Sequence, residues 1–451
     1  MKYRQLNSKD IFKSKRFDGS FHNADVNVYD SVITRHSLHH LSYYCSEIFT
    51  SGRNKRVYTT PEFGDPFLSN SDASSASPFT TCKYSSKKYG FDEKAILKGG
   101  MILTGRVGAI GQTVFVPKYW ENFRTQGSDN IIRIVVKPQF RNGFIYAYLA
   151  SRIGNLSFWK HATGGVQPFI TDKMVGELPI PEFPDTFQQE VDDLIQESAR
   201  LREEAADALE EAVSKFDYLF PTQFKEKHLG KVSSKEILNS INKRFEGGFH
   251  ISEGKDIDKY IKEHYEWKSL GDVCSSISRP DIFKRYYVKN GITFLGGADI
   301  FLATPGSDKR LSRAKTNNID ALMIKEGMIL LPRSGTIGNV AWAHAGHAQK
   351  LASEDVIRLL PNDILKAGYV YAFLASKYGK KLIQRYIFGS VIQHVEPPHL
   401  KLIPVPVIDD VTMNDIHNKV MIYSSSMGKA IEKERKAILM VEQEIEKWNK
   451  H

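Results

Sequence analysis

KRFEGGFH at residues 243–250 restates KRFDGSFH at residues 15–22, with Glu for Asp and Gly for Ser as the only exchanges. The interval is 228 residues in a chain of 451, so the second copy begins just past the midpoint. The echo continues on both sides. SKDI (8–11) answers SKEI (234–237), PFLSNSDA (66–73) answers TFLGGADI (293–300), and GGMILTGRVGAIG (99–111) answers EGMILLPRSGTIG (326–338). SDNIIRI (128–134) pairs with SEDVIRL (353–359), YAYLAS (146–151) with YAFLAS (371–376), and LPIP (178–181) with IPVP (403–406). The interval stays between 225 and 228 throughout, so insertions are small and fall in loops. Such collinear matching is a two-fold internal duplication, not a solenoid, whose units run to about 20–50 residues.

Each copy has the same grammar. A mixed region rich in Gly, Ser, aromatics and β-branched runs such as TVFVP (113–117) and IIRIVV (131–136) predicts short strands broken by turns. Pro179–Pro181 and Pro404–Pro406 then close the region, because proline resists continuation of sheet or helix. A long helix is expected next. Phe187, Val191, Leu194, Ser198, Leu201, Ala205, Ala208 and Ala212 alternate by four and three. Met413, Ile416, Val420, Tyr423, Met427, Ile431, Glu434, Ile438, Val441, Ile445 and Trp448 keep nearly that rhythm. This is heptad spacing and predicts a coiled-coil seam, with Val191, Leu194, Leu201, Met427, Ile431, Ile438, Val441 and Ile445 as its apolar members. At 1.5 Å per residue each helix of about 35 residues spans about 50 Å. The alternative is that each helix packs separately on its own globular core.

Composition bounds the function. With 41% hydrophobic and 25% charged residues the chain reads as globular. No apolar run approaches the roughly 20 residues that span a bilayer, and MKYRQLNSKDIFKSKRF lacks the apolar core of a secretory signal. Cys45, Cys82 and Cys274 lie too far apart for a metal knuckle or a disulfide framework. A cytoplasmic protein is expected. The net charge is +10, but residues 185–215 hold ten acids against Arg200, Arg202 and Lys215. That segment is −7 and the remainder +17, a segregation that suits a polyanion.

The search for chemistry finds no catalytic constellation and no metal site. GRVGAIG (105–111) lacks both the dinucleotide glycine pattern and the Lys-Ser/Thr ending of a phosphate loop, so a tight structural turn is the favoured reading. VEPPHL (395–400) fails as an amino-methyltransferase loop, since Glu396 and His399 stand where an amide or Asp and an aromatic belong. The remaining signal is basic residues among aromatics, recurring in both copies with non-identical neighbours. Arg and Lys neutralise phosphates or read guanine, and Gln or Asn read adenine, so duplex DNA becomes the expected ligand. The competing reading is a coiled-coil scaffold that organises partners without sequence-specific DNA binding.

RFDGSFH and RFEGGFH, the Met-Ile-Leu strand with its Arg-x-Gly-x-Ile-Gly turn, the Pro-x-Pro exit and the long helix after each half resemble type I restriction–modification specificity subunits. The resemblance covers essentially the whole chain. Phe21-His22 and Phe249-His250 depart from it, standing where the family has paired tyrosines. It implies an α+β fold: two globular α/β target-recognition domains in pseudo-two-fold arrangement, separated by two long antiparallel coiled-coil helices. The implied division is 1–25 as a terminal segment that completes the repeat, 26–184 as the first recognition domain, 185–253 as a central helical spacer, 254–407 as the second recognition domain and 408–451 as the C-terminal helix. The implied role is non-catalytic. Each domain would read one half of a bipartite, asymmetric double-stranded DNA target, and the helices would set the spacing and dock two methyltransferase subunits. No cofactor is expected on this chain. S-adenosylmethionine would belong to the methyltransferase, and ATP and Mg to restriction/translocase subunits of the full complex. The DNA-contact candidates of the first domain are Arg53, Lys55, Arg56, Lys83, Lys87, Lys88, Arg124, Gln126 and Gln167. Those of the second are Lys284, Arg285, Lys309, Arg310, Arg313, Lys315, Lys350, Gln393 and His394.

Overall fold

The computed structural model describes residues 5, 7–22, 27–53, 55–89, 92–221, 224 and 229–448. Of the terminal segment 1–25, residues 1–4, 6 and 23–25 lie outside the described residues, as does 26 at the expected domain start. The chain divides into two units, Met1–Glu203 with Lys429–His451, and Glu204–Gly428.

The strands of the first unit, in chain order, are β1 (Leu38–His40), β2 (Cys45–Phe49), β3 (Tyr58–Thr59), β4 (Gly64–Leu68), β5 (Lys83–Ser86), β6 (Ile102–Gly105), β7 (Thr113–Phe115), β8 (Gln126–Gly127), β9 (Ile131–Val136) and β10 (Pro179–Pro181). An antiparallel sheet runs β2-β9-β6-β7, and a second sheet runs β3-β5-β4-β8 with its last pair parallel. The Met-Ile-Leu run explains why β6 is central. Ile102 faces a core with Ile132, Ile134 and Phe144, whereas Leu103 faces another with Leu68, Leu97, Val116 and Trp120. Alternate side chains point to opposite faces, and both faces are covered, so the strand reads as unbroken apolar sequence. Each such fully buried aliphatic side chain contributes about 1.5–3 kcal/mol. The turn that follows needs Gly108 at φ +78°, and, its chain neighbours aside, no atom of the described residues lies within 4 Å of where its Cβ would sit. Its counterpart Gly335 has the same φ of +78°.

The second unit repeats this plan. Its strands are β11 (Glu266–Ser269), β12 (Cys274–Ser278), β13 (Tyr287–Leu295), β14 (Arg310–Leu311), β15 (Ile329–Pro332), β16 (Ala341–Trp342), β17 (Leu351–Ala352), β18 (Val356–Pro361) and β19 (Pro404–Val407). The order β12-β18-β15-β16 matches β2-β9-β6-β7, and β14-β13-β17 matches β5-β4-β8, again with a parallel last pair. The Pro-x-Pro segments form the matching pairs β1-β10 and β11-β19. Helices Asn142–Ala150 and Ala367–Ala375 are apolar all round and buried, as an interior helix should be.

The long helices are Asp185–Leu219 and Asp410–Trp448. Within the first unit, Val191 and Ile195 share a core with Ala437, Val441 and Ile445. There the Ser198 hydroxyl donates to the Ala430 carbonyl at 2.8 Å. Within the second unit, Glu211 pairs with Lys419, and Lys215 pairs with Asp415 at 3.2 Å. Numbers rise on one helix as they fall on the other, so the pairing is antiparallel in each unit. The seam differs from the expected one in detail. Ile195, Ala430 and Ala437 are buried, while Leu194 and Ile438 are half-buried against the same core and Ile431 is half-buried. The cause is a second neighbour. Gly143 of the adjoining domain helix packs so closely on the first long helix that a Cβ there would come within 3.0 Å of the Ile195 side chain. A helix covered on two sides buries a stripe wider than a two-stranded seam. The polar intruder Glu434 is satisfied from both neighbours, accepting from Arg202 at 2.5 Å and from the Tyr146 hydroxyl.

The duplicated octapeptide forms the same joint twice. Arg16 donates to the carbonyls of His161 (3.3 Å) and Ala162 (3.1 Å), at the end of helix Arg152–His161, and pairs with Asp18 at 2.6 Å. Arg244 donates to the carbonyls of Tyr386 (3.3 Å) and Ile387 (2.6 Å), beyond helix Lys377–Arg385, and pairs with Glu246 at 3.0 Å. A cation at a helix C-terminus satisfies carbonyls left without an intrahelical partner. Two histidines complete the turn: His22 Nε2 lies 2.8 Å from the Arg16 carbonyl, and His250 Nε2 lies 2.7 Å from that of Arg244. Each His packs edge-on against its Phe, with ring centroids 5.1 and 5.0 Å apart. The expected spacer 185–253 is thus a long helix to Leu219 followed by short helical turns, of which Ser234–Asn239 and Gly247–His250 lie in the second unit. Residues 222–223 and 225–228 of that stretch lie outside the described residues.

Candidate nucleic-acid interface

In the first unit the basic candidates gather around the sheet β3-β5-β4-β8. Strand pairing of β3 with β5 places Lys83 beside Tyr58, with its ammonium 4.7 Å from the ring centroid. Lys88 lies 5.4 Å from the Tyr89 ring, and Lys55 and Lys87 are exposed nearby in sequence. Exposed cations over aromatic faces suit a surface that meets phosphates and stacked bases. Arg53 and Arg56 converge on one carboxylate, Asp129, with Arg53 Nε 3.3 Å from its oxygen. Arg124 pairs at 3.5 Å with Asp65, which is buried. Gln167 is exposed on the hairpin closed by the Thr163–Phe169 bridge, whose tip residue Val166 is fully exposed. Gln126 does not belong to this surface. It is 2% exposed and its amide donates to Asp65 at 3.2 Å.

The second unit gathers a different set at the corresponding sheet. Lys284 and Lys315 flank the Tyr286 ring at 5.3 and 5.9 Å. Lys309, Arg310 and Arg313 are exposed on and beside β14, and Tyr287 is exposed at the start of β13. Arg285 pairs with Glu354 at 2.6 Å. Burial opposes its charge, but the Glu354 carboxylate and the Tyr287 hydroxyl hold the Arg285 pKa above the ordinary arginine value. Gln393 is exposed at the Phe388–His394 hairpin, with Val391 and Ile392, and His394 is half-buried with its ring 4.0 Å from that of Phe388. Lys350 is half-buried, its ammonium donating to the carbonyls of Pro305 and, at 2.6 Å, Gly346.

Three supporting residues in each unit lie outside the basic and aromatic runs of the sequence. Asp129 and Glu354 occupy the same place in SDNIIRI and SEDVIRL, and Phe67 and Phe294 the same place in the preceding strand. Behind them lie Arg133 and Arg358, both buried. Arg133 donates to the carbonyls of Ser128 (3.0 Å), Ile131 (2.6 Å), Ala95 (3.2 Å) and Gly127. Arg358 repeats this on Ser353, Val356, Leu322 and Ala352. Burial pulls both guanidinium pKa values down to about 10, still charged near neutrality. The duplicated Ser-acid-x-x-Ile-Arg is their signal in the sequence, but an acid runs against the charge expected of a polyanion surface.

Among the described residues, no group of three or more His, Cys, Asp or Glu could hold a metal ion, and no helix is long and apolar enough to cross a membrane. Glu396 of VEPPHL is engaged by Arg333 at 2.8 Å and Arg279 at 3.0 Å.

Residues 262–409 match the model of the type I restriction modification DNA specificity domain. That stretch is similar to a type I DNA specificity domain. That match spans the second unit's strands from β11 to β19, and the first unit repeats the specificity domain's sheet orders and duplicated motifs. A search of curated proteins returned no match. Among solved structures, the type I restriction–modification S subunit from M. genitalium aligns over 91% of this chain and 95% of its own, at 13% identity and a TM-score of 0.37. The HsdS subunit from Thermoanaerobacter tengcongensis aligns over 90% and 95%, at 14% identity and a TM-score of 0.28. Superpositions this loose mark a likeness only.

Proposed function

We propose that this chain is the DNA-reading subunit of a type I restriction–modification complex, each unit recognising one half of a bipartite target. One observation carries the reading. The strand order of the matched domain recurs in the first unit, yet the exposed basic and aromatic side chains differ between copies, Tyr58–Lys83 against Tyr286–Lys284–Lys315. A repeated frame with unlike contact surfaces suits two unlike half-sites separated by unread bases. The paired helices set the spacing, and the acidic face of 185–215 is turned to protein, docking two methyltransferase subunits. Chemistry belongs to those partners. S-adenosylmethionine is held by the methyltransferase, while ATP and Mg serve restriction/translocase subunits where these join.

The scaffold alternative is separated by titrating the purified full chain with duplex DNA at several salt concentrations. Phosphate neutralisation releases counterions, so log Kobs falls with log salt at about −0.9 per phosphate contacted. A steep negative slope is expected, and the absence of salt-dependent DNA binding would return the chain to the scaffold class.

A further inference from the structure

Half-exposed arginines backed by a buried acid occur at equivalent places in both units. Arg56 donates through Nη2 to Asp129, and Arg285 donates through Nη2 to Glu354 at 2.6 Å. The acids' side chains are 8% and 10% exposed, those of the arginines 39% and 36%. Each guanidinium also lies over a phenylalanine ring, Arg56 at 5.0 Å from Phe67 and Arg285 at 5.3 Å from Phe294. One edge is therefore held by a carboxylate and one face by a ring, while the rest of each fork reaches solvent. The loops bearing the acids are themselves pinned by the buried arginines behind them.

An arginine that only attracts phosphate needs none of this. Pairing with a buried carboxylate cancels the charge that draws a phosphate, and ring stacking fixes the plane of the fork. What is gained is orientation. A base edge requires it, because guanine O6 and N7 accept two donors held in one plane. Arg53 shows the contrast in the first unit: it shares Asp129 but is 76% exposed and stacks on no ring among the described residues, which suits a phosphate contact.

We propose that Arg56 and Arg285 each read a guanine in the major groove, one in each half-site. Asp129 with Phe67, and Glu354 with Phe294, are the positioning residues that aim them. The proposal rests on the specificity reading above and names one base that each domain reads.

The target sequence is first taken from the wild-type methylation map. The full chain is then titrated with that duplex and with duplexes carrying 7-deazaguanine, which lacks the N7 acceptor, at single guanines. One guanine in each half-site is expected to lose about tenfold to hundredfold in affinity on this change. Arg285→Lys keeps the charge but not the fork, and should abolish the effect in the second half-site while leaving the first intact. Intact discrimination at the first half-site also shows that the variant is folded, and Arg56→Lys should give the reciprocal result. Glu354→Gln should weaken discrimination at the same guanine, with recovery in Glu354→Asp. Insensitivity of every guanine to the deaza change, or Arg-to-Lys variants that weaken all sequences alike, would overturn the proposal alone. A wild-type chain without sequence preference would overturn the specificity reading and this proposal with it.

Discussion

Arg244 shows how much one side chain can carry. Its guanidinium is buried against two carbonyls at a helix end and pairs with Glu246, so Arg244→Ala leaves three acceptors without their donor. Hydrogen bonds to charged groups contribute about 1.5–3 kcal/mol each, but the effects overlap, so a loss of about 2–3 kcal/mol is expected. Urea denaturation of the variant should show a lower midpoint with an unchanged slope. His347 gives a pH-dependent counterpart. Its Nε2 lies 2.9 Å from the Ile300 carbonyl, its Nδ1 is buried with no hydrogen-bond partner among the described residues, and His344 and Lys350 lie close by. Burial first, and Lys350 in addition, lower its pKa to about 4. The unfolded chain then binds the proton more readily, with an ordinary pKa of about 6.5, so stability falls as pH drops through the window between these values. Between pH 7.5 and pH 5 the loss is about 2 kcal/mol. His347→Gln should flatten that part of the pH–stability curve, and an unchanged curve would show that His347 is not the group responsible.

At the scale of elements, the paired helices differ from a free coiled coil because each has two neighbours. The Tyr146–Glu434–Arg202 cluster ties the domain helix and both long helices together within the first unit. Glu434→Leu would leave Arg202 without its carboxylate in a largely enclosed position, and breaking such a pair costs about 3–5 kcal/mol when fully buried. Since Arg202 is only partly enclosed, the lower end is expected, read as a fall in Tm. The helices' proposed ruler role is tested by inserting one heptad into each, in matched positions. Seven residues add about 10.5 Å of helix, close to three base pairs. The preferred spacer should lengthen accordingly or binding should be lost, whereas an unchanged spacer would refute the ruler. Heptad spacing made the helices legible in sequence. The deeper burial of Ile195 beside Leu194, and of Ala430 and Ala437 beside Ile431 and Ile438, was not, because it depends on the domain helix packed alongside.

At the scale of the whole molecule, the duplication was legible because each matched motif builds the same element: Met-Ile-Leu a central strand, Pro-x-Pro the closing pair, Arg-Phe-acid-Gly the helix-end joint. The contact surface was legible only in part. Arg56, Arg285, Lys83 and Lys284 stand among aromatics as their neighbours suggested, but Gln126 and Lys350 are spent on Asp65 and on backbone carbonyls. A short polar run does not disclose which member turns inward. Asp129 and Glu354 were hidden for the opposite reason, as acids set where positive charge was sought. The proposal gives two unlike surfaces on one repeated frame to two unlike half-sites. Genome-wide mapping of adenine methylation in the host, with and without this gene, tests it most directly. A bipartite asymmetric motif that disappears on deletion, and of which one half alone changes when the exposed residues of one domain are exchanged, is the expected result. A methylation pattern unchanged by deletion would refute a DNA-reading role for this chain.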